Sequence, residues 1–167
     1  MTERIIAENP KLRNTLGMSI ERIDISDHAF EAEILLMLEN SGFAPRRVED
    51  VIHLEGLGIG HGDSSVDIQI DLVSMDGHRI LEVVAPLRMP PVDFGLATLM
   101  CTQGNTSCVI AKFKPIEVLK ENAHIVHAMF TLYADATSEE VLKSMLYLFI
   151  KEVDAIDNKL ISMIKTR

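Results

Sequence analysis

From Val66 to Leu72 apolar and polar residues alternate one for one, and Asp76-Gly77 follows a few positions on. Alternation at period two marks a strand with one buried face. Asp-Gly suits a two-residue hairpin turn, whose central residues both need positive φ. The turn fixes a register: Met75 faces His78, Leu72 faces Leu81, Ile70 faces Val83 and Ile68 faces Ala85. The last three pairs share the expected core face. Val73 with Ile80, Asp71 with Glu82 and Gln69 with Val84 take the other. Two opposed carboxylates are unfavourable without a nearby cation, and Lys112 or Lys114 would supply it if their strand reached that face.

The same reading extends in both directions. Val48 to Leu54 is expected to be a strand, and so is Cys108 to Lys114, with Val109, Ala111 and Phe113 on one side. Ile125 to Tyr133 alternates, placing Val126, Ala128, Phe130 and Leu132 on one face and Ile125, His127, Met129, Thr131 and Tyr133 on the other. Asn9-Pro10 starts a short helix to Leu16 that Gly17 ends. Met18 to Ile25 reads as a strand or an extended linker. Ser26 caps a helix with Phe30, Ile34, Met37 and Leu38 at helical spacing, closed by Gly42 with Pro45 beyond. Asp93 caps a short helix through Cys101, ended by Gly104. Thr137-Ser138-Glu139-Glu140 is a capping box opening a last helix to about Lys165. Its stripe is Leu142, Met145, Phe149, Val153, Ile156, Leu160 and Met163. Met145 to Ile150 is apolar at six consecutive positions, so this helix needs cover on more than one side.

These elements predict an α+β fold: a five-stranded, largely antiparallel sheet with helices packed on it. The 167 residues suit one domain, with residues 1–25 as an N-terminal extension and 26–167 as the core.

Composition narrows the function. Net charge is −9, which repels phosphate backbones and argues against nucleic acid as a partner. No segment is apolar for long enough to span a membrane, and no leader pattern is present, so a cytoplasmic protein is expected. Two cysteines, Cys101 and Cys108, do not make a disulfide framework; the first falls on a helix and the second on a strand.

Nothing in the chain forms a catalytic motif, and no catalytic residue, metal or cofactor is expected. His124 and His127 fall on a strand and point to opposite faces. The stretch Gly56 to Asp63 is glycine-rich but lacks the spacing of a nucleotide fingerprint, and a strand rather than a helix follows it. Its alternative role is a small-molecule or metal site built from His53, Gly58, Gly60, His61 and Asp63. The stronger expectation is a binding surface for a protein or peptide segment, or for a second copy, carried by Met129, Tyr133, Leu146 and Ile150, because large apolar patches on monomers are uncommon.

The element order is similar to that of a known family. Val66-Asp67-Ile68-Gln69-Ile70 through Asp76-Gly77-His78-Arg79, the helix ending Gln103-Gly104-Asn105, the strands Ser107–Phe113 and His124–Leu132, and Ala136-Thr137-Ser138-Glu139-Glu140-Val141-Leu142 carry the likeness. Over roughly residues 30–165 the chain resembles the type III secretion chaperone-like fold and, more closely, the YbjN-like bacterial sensory transduction regulator family. The resemblance implies a non-enzymatic homodimer that binds segments of other proteins, by burying an apolar segment or adding a strand at a sheet edge. The first ~25 residues and the glycine-rich loop depart from that pattern.

Overall fold

The computed structural model describes residues 20–22, 28–57, 66–118 and 123–165. Their order is β1 (Ile20–Arg22), α1 (His28–Asn40), β2 (Pro45–Val48), β3 (Val51–Leu57), β4 (Val66–Met75), β5 (His78–Pro86), α2 (Phe94–Ser107), β6 (Lys112–Val118), β7 (Ala123–Tyr133), a 3-10 turn at Ala134–Ala136 and α3 (Glu139–Lys165). The fold is α+β with an entirely antiparallel sheet. The strands run β2-β3-β4-β5-β7-β6, six where five were expected, with the short β1 laid against the far half of β4.

The additional strand comes from a hairpin inside what reads as one segment. Val48 closes β2 and pairs with Val51, and the turn between them holds Glu49 at φ 56°. A glutamate there gives no turn signal in the sequence, because glycine, asparagine and aspartate are the usual occupants of positive φ. The β4–β5 hairpin follows the expected register from Gln69↔Val84 to Met75↔His78, with Asp76 at φ 51° and Gly77 at φ 79°.

One face of the sheet buries Ile52, Leu54, Ile68, Ile70, Leu81, Val83, Ala85, Val126, Ala128 and Phe130 against the helices. Phe30, Ile34 and Leu38 of α1, Ala97, Met100 and Cys101 of α2, and Leu142, Leu146, Phe149, Ile150, Val153, Ile156 and Leu160 of α3 complete that core. The end of α1 satisfies its carbonyls as a Schellman motif: the Gly42 N–H donates to Glu39 and the Phe43 N–H to Leu38, with Gly42 at φ 87°. At α3 the cap is Ser138, whose hydroxyl accepts from the Val141 N–H, while Thr137 donates back to Tyr133. The helix therefore starts one residue later than the capping box predicts.

Gly104 does not end α2. The helix continues to Ser107 and closes with the Cys108 N–H on the Gly104 carbonyl. Its missing side chain serves packing instead, since a Cβ there would lie 2.5 Å from the Phe113 ring. Cys108 is thus the helix cap rather than a strand residue. The helix expected over Pro10–Leu16 and the Ser26 cap lie outside the described residues.

Polar clasps tie the layers together. Arg88, between β5 and α2, donates from Nε to the buried Asp157 at 2.6 Å and from its backbone at 3.1 Å. Arg79 binds Asp135 and lies 4.4 Å over the Phe30 ring. Its hydrogen bond holds the Asp135 carboxyl below the ordinary aspartate range. Glu152 of α3 accepts the N–H groups of Val109, Ile110 and Ala111 at 2.7, 3.1 and 2.8 Å. Three converging donors form an anion nest, here filled by the protein's own carboxylate. Glu152→Ala is expected to cost about 2–3 kcal/mol, and Glu152→Gln about half of that, because backbone donors left without an acceptor keep their desolvation cost. Urea denaturation of the two variants measures both, and equal midpoints for all three proteins would refute a role for the nest.

Candidate functional site

The four residues expected to share a surface do not meet. Leu146 and Ile150 are fully buried on the core face of α3. Met129 and Tyr133 lie on β7 beside Val84 and Ile80, on the sheet face turned away from that core. The sheet lies between the two pairs, so Leu146 and Ile150 belong to the core and not to a binding surface. Tyr133 is exposed and its ring meets His78 edge-on at 5.8 Å.

Of the alternative loop site, only His53 falls among the described residues. It lies on β3 between Arg46 and Gln69. Gly58, Gly60, His61 and Asp63 lie outside them. Among the described residues no three His, Cys, Asp or Glu side chains gather closely enough to hold a metal ion. His124 and His127 point to opposite faces, as strand geometry requires. His124 packs on the Phe94 ring of α2 at 5.1 Å, and burial on the other face lowers the His127 pKa.

The thiols are not activated. Burial on α2 pushes Cys101 up to about 11. Cys108 is raised by burial and by the Glu152 charge, against a smaller opposing effect of Lys112. Nucleophilic cysteines need the reverse shift. Lys112 and Lys114 are on the same face as Asp71 and Glu82, but β7 intervenes: Lys112 faces Met129 and Lys114 faces His127.

Sequence reading missed the surface of α2. Asp93 starts this helix by accepting the Leu96 N–H at 2.9 Å. From Phe94 to Ala111 there is no charged residue. Phe94, Leu99 and Val109 are nevertheless 60%, 46% and 81% exposed. Between them run Thr98, Thr102 and Thr106, each hydroxyl donating to the carbonyl four residues earlier. Their donors are satisfied internally, which lowers the cost of drying this face. The signal was present as eighteen consecutive uncharged positions in an acidic chain.

The sheet edges carry protections against strand addition. Along the antiparallel β6–β7 pair every second β6 residue turns its backbone groups away from β7. The Ala111 N–H is taken by Glu152. Phe113 exchanges both backbone groups with the Asn105 side chain, at 2.7 and 3.2 Å. Pro115 has no N–H to offer. At the other edge β2 is four residues long and begins Pro45-Arg46-Arg47. Proline, charge, shortness and covering groups are the usual protections of an edge.

Among the described residues no helix is long and apolar enough to cross a membrane. No protein-family model and no curated protein matches the sequence. Among solved structures the chain is similar to YbjN from E. coli, described as a candidate transcription regulator, with a TM-score of 0.56 and 14% identity over 79% of this chain and 91% of that one. At that identity the likeness is one of fold, and the chain has a YbjN-like fold.

Proposed function

We propose that this chain is a non-catalytic regulatory module of the cytoplasm that acts by binding protein, and that α2 is its recognition surface, occupied by a second copy. The observation that carries the reading is the stretch Phe94 to Ala111, which has no charged residue of its own and on which Phe94, Leu99 and Val109 are exposed. Two chains of net charge −9 repel wherever their acidic surfaces approach. A surface with no charged side chain from Phe94 to Ala111, bordered by Asp93 and by Glu152, whose carboxylate is held by backbone N–H groups, lessens that repulsion, and large exposed apolar groups beside satisfied hydroxyls favour its burial. The likeness to a regulator rather than an enzyme supports the non-catalytic part. Membership of the YbjN-like family, and its link to secretion chaperones that bind segments of other proteins, belong to the same reading. With the sheet edges protected, a bound segment would lie on a face and not extend the sheet.

Light scattering after size-exclusion chromatography tests it. The native chain is expected at twice its 18.6 kDa mass and Phe94→Asp/Leu99→Asp at the monomer mass, with unchanged far-UV circular dichroism. A native monomer rules out the second copy, and a variant that stays dimeric rules out α2.

A further inference from the structure

Gly95, Leu99, Thr102 and Thr106 are all exposed and recur along α2 at spacings of four, three and four. Those are the spacings of seam positions in a coiled coil, so the four residues form one line along the helix. Ala97, Met100, Cys101 and Gly104 bury the opposite side, which makes this line the outermost part of α2. Only one of its members is large. Leu99, 46% exposed, stands between Gly95 and Thr102. The hydroxyls of Thr102 and Thr106 fold back onto the carbonyls of Thr98 and Thr102, each at 2.9 Å, so the surface beside Leu99 is low and its donors are satisfied.

We infer that in the pair proposed above the two α2 helices lie antiparallel, with the two-fold axis between Leu99 and Thr102. The inference rests on the α2 dimer and adds its geometry. Spacings of four, three and four read the same in both directions, so a reversed helix lays the line on itself. Leu99 then comes level with the partner's Thr102, and Gly95 with the partner's Thr106. Each layer holds one larger and one smaller residue, as close packing requires. Parallel helices would set every residue against its own copy. Leu99 would meet Leu99 of the partner subunit and hold the helices apart, leaving gaps at the glycine and the threonines. The helix dipoles favour the same choice, because antiparallel neighbours place each positive N-terminus beside a negative C-terminus. Asp93 of one copy then lies toward the partner's Glu152, and both carboxylates are already bound to backbone N–H groups. The consequence is selectivity. The seam admits a helix that is small where Leu99 falls, so Leu99 and Thr102 together choose the chain's own copy.

Disulfide cross-linking in a Cys108→Ser background tests the geometry. Co-expressed Thr106→Cys and Gly95→Cys chains are expected to link to each other under mild oxidation. Thr106→Cys alone is expected not to link, since the two positions lie about 16 Å apart along an antiparallel seam. Thr106→Cys chains that link to one another would overturn the inference. A second readout leaves the glycine in place. Thr102→Leu is expected to weaken the dimer about tenfold by overpacking against the partner's Leu99, and Leu99→Thr/Thr102→Leu to restore it. A Thr102→Leu dimer as tight as the native one, or tighter, would overturn the antiparallel arrangement. A native monomer would instead remove the α2 pair itself, and light scattering tells that failure from the others.

Discussion

Leu146→Asp is expected to unfold the protein rather than to separate two subunits. Leu146 is wholly buried among α3 and sheet side chains. Removing a buried leucine costs about 2–5 kcal/mol, and a carboxylate placed in apolar surroundings adds several more, or is forced to take up a proton. The sum reaches the whole stability of an ordinary domain, about 5–15 kcal/mol. Far-UV circular dichroism will show the loss directly. Two positions on, Leu148 is 40% exposed, and Leu148→Asp is expected to cost less than ~1 kcal/mol. A folded, cooperatively melting Leu146→Asp protein would mean that the α3–sheet core is misplaced.

Gly104→Ala is expected to lower stability by about 2–3 kcal/mol, as overpacked core substitutions do. Helix propensity alone predicts the opposite, a gain of about 1 kcal/mol. The geometry decides for packing. The new methyl would lie 2.5, 2.8 and 2.9 Å from three carbons of the Phe113 ring. The ring is buried, and its backbone is fixed on one side by β7 and on the other by Asn105. It has little room to withdraw. In urea the midpoint should fall with an unchanged slope. Gly104→Ala/Phe113→Leu should cost less than its two single changes added together, since the smaller side chain removes the clash. A stabilised Gly104→Ala protein would refute the contact.

These two sites also show where sequence reading stops. The β4–β5 register was legible because Asp-Gly restricts the turn and strict alternation restricts the faces. Most of the core stripe of α3 was legible because apolar residues recur at helical spacing: Leu142, Phe149, Val153, Ile156 and Leu160 are in the core and Met145 packs against it. What failed were readings that needed a neighbour. Met145 to Ile150 looks apolar all round, but only the structure shows that Leu146, Phe149 and Ile150 face the sheet. Tyr147 leans on the ring of Phe43 at 5.3 Å and Leu148 faces outward. Gly104 carries the same letter whether it ends a helix or admits a ring, and Phe113 is nine residues away. The candidate surface divided for a related reason: strand alternation gave the correct faces for Met129 and Tyr133 but not which face the last helix covers. The α2 surface required noticing what is missing, a charge over eighteen positions, rather than a motif.

The treatment of the sheet edges governs how this protein behaves when concentrated. A free edge is a template that regenerates itself, because each strand added exposes another, and growth then has no natural end. Here one edge is covered by its own asparagine and glutamate side chains and the other is short, charged and led by proline. Contacts between faces related by a two-fold axis behave differently, since each copy uses up the surface it offers and assembly closes at a pair. The covering of a few backbone groups on β6 thus favours assemblies of finite size over filaments.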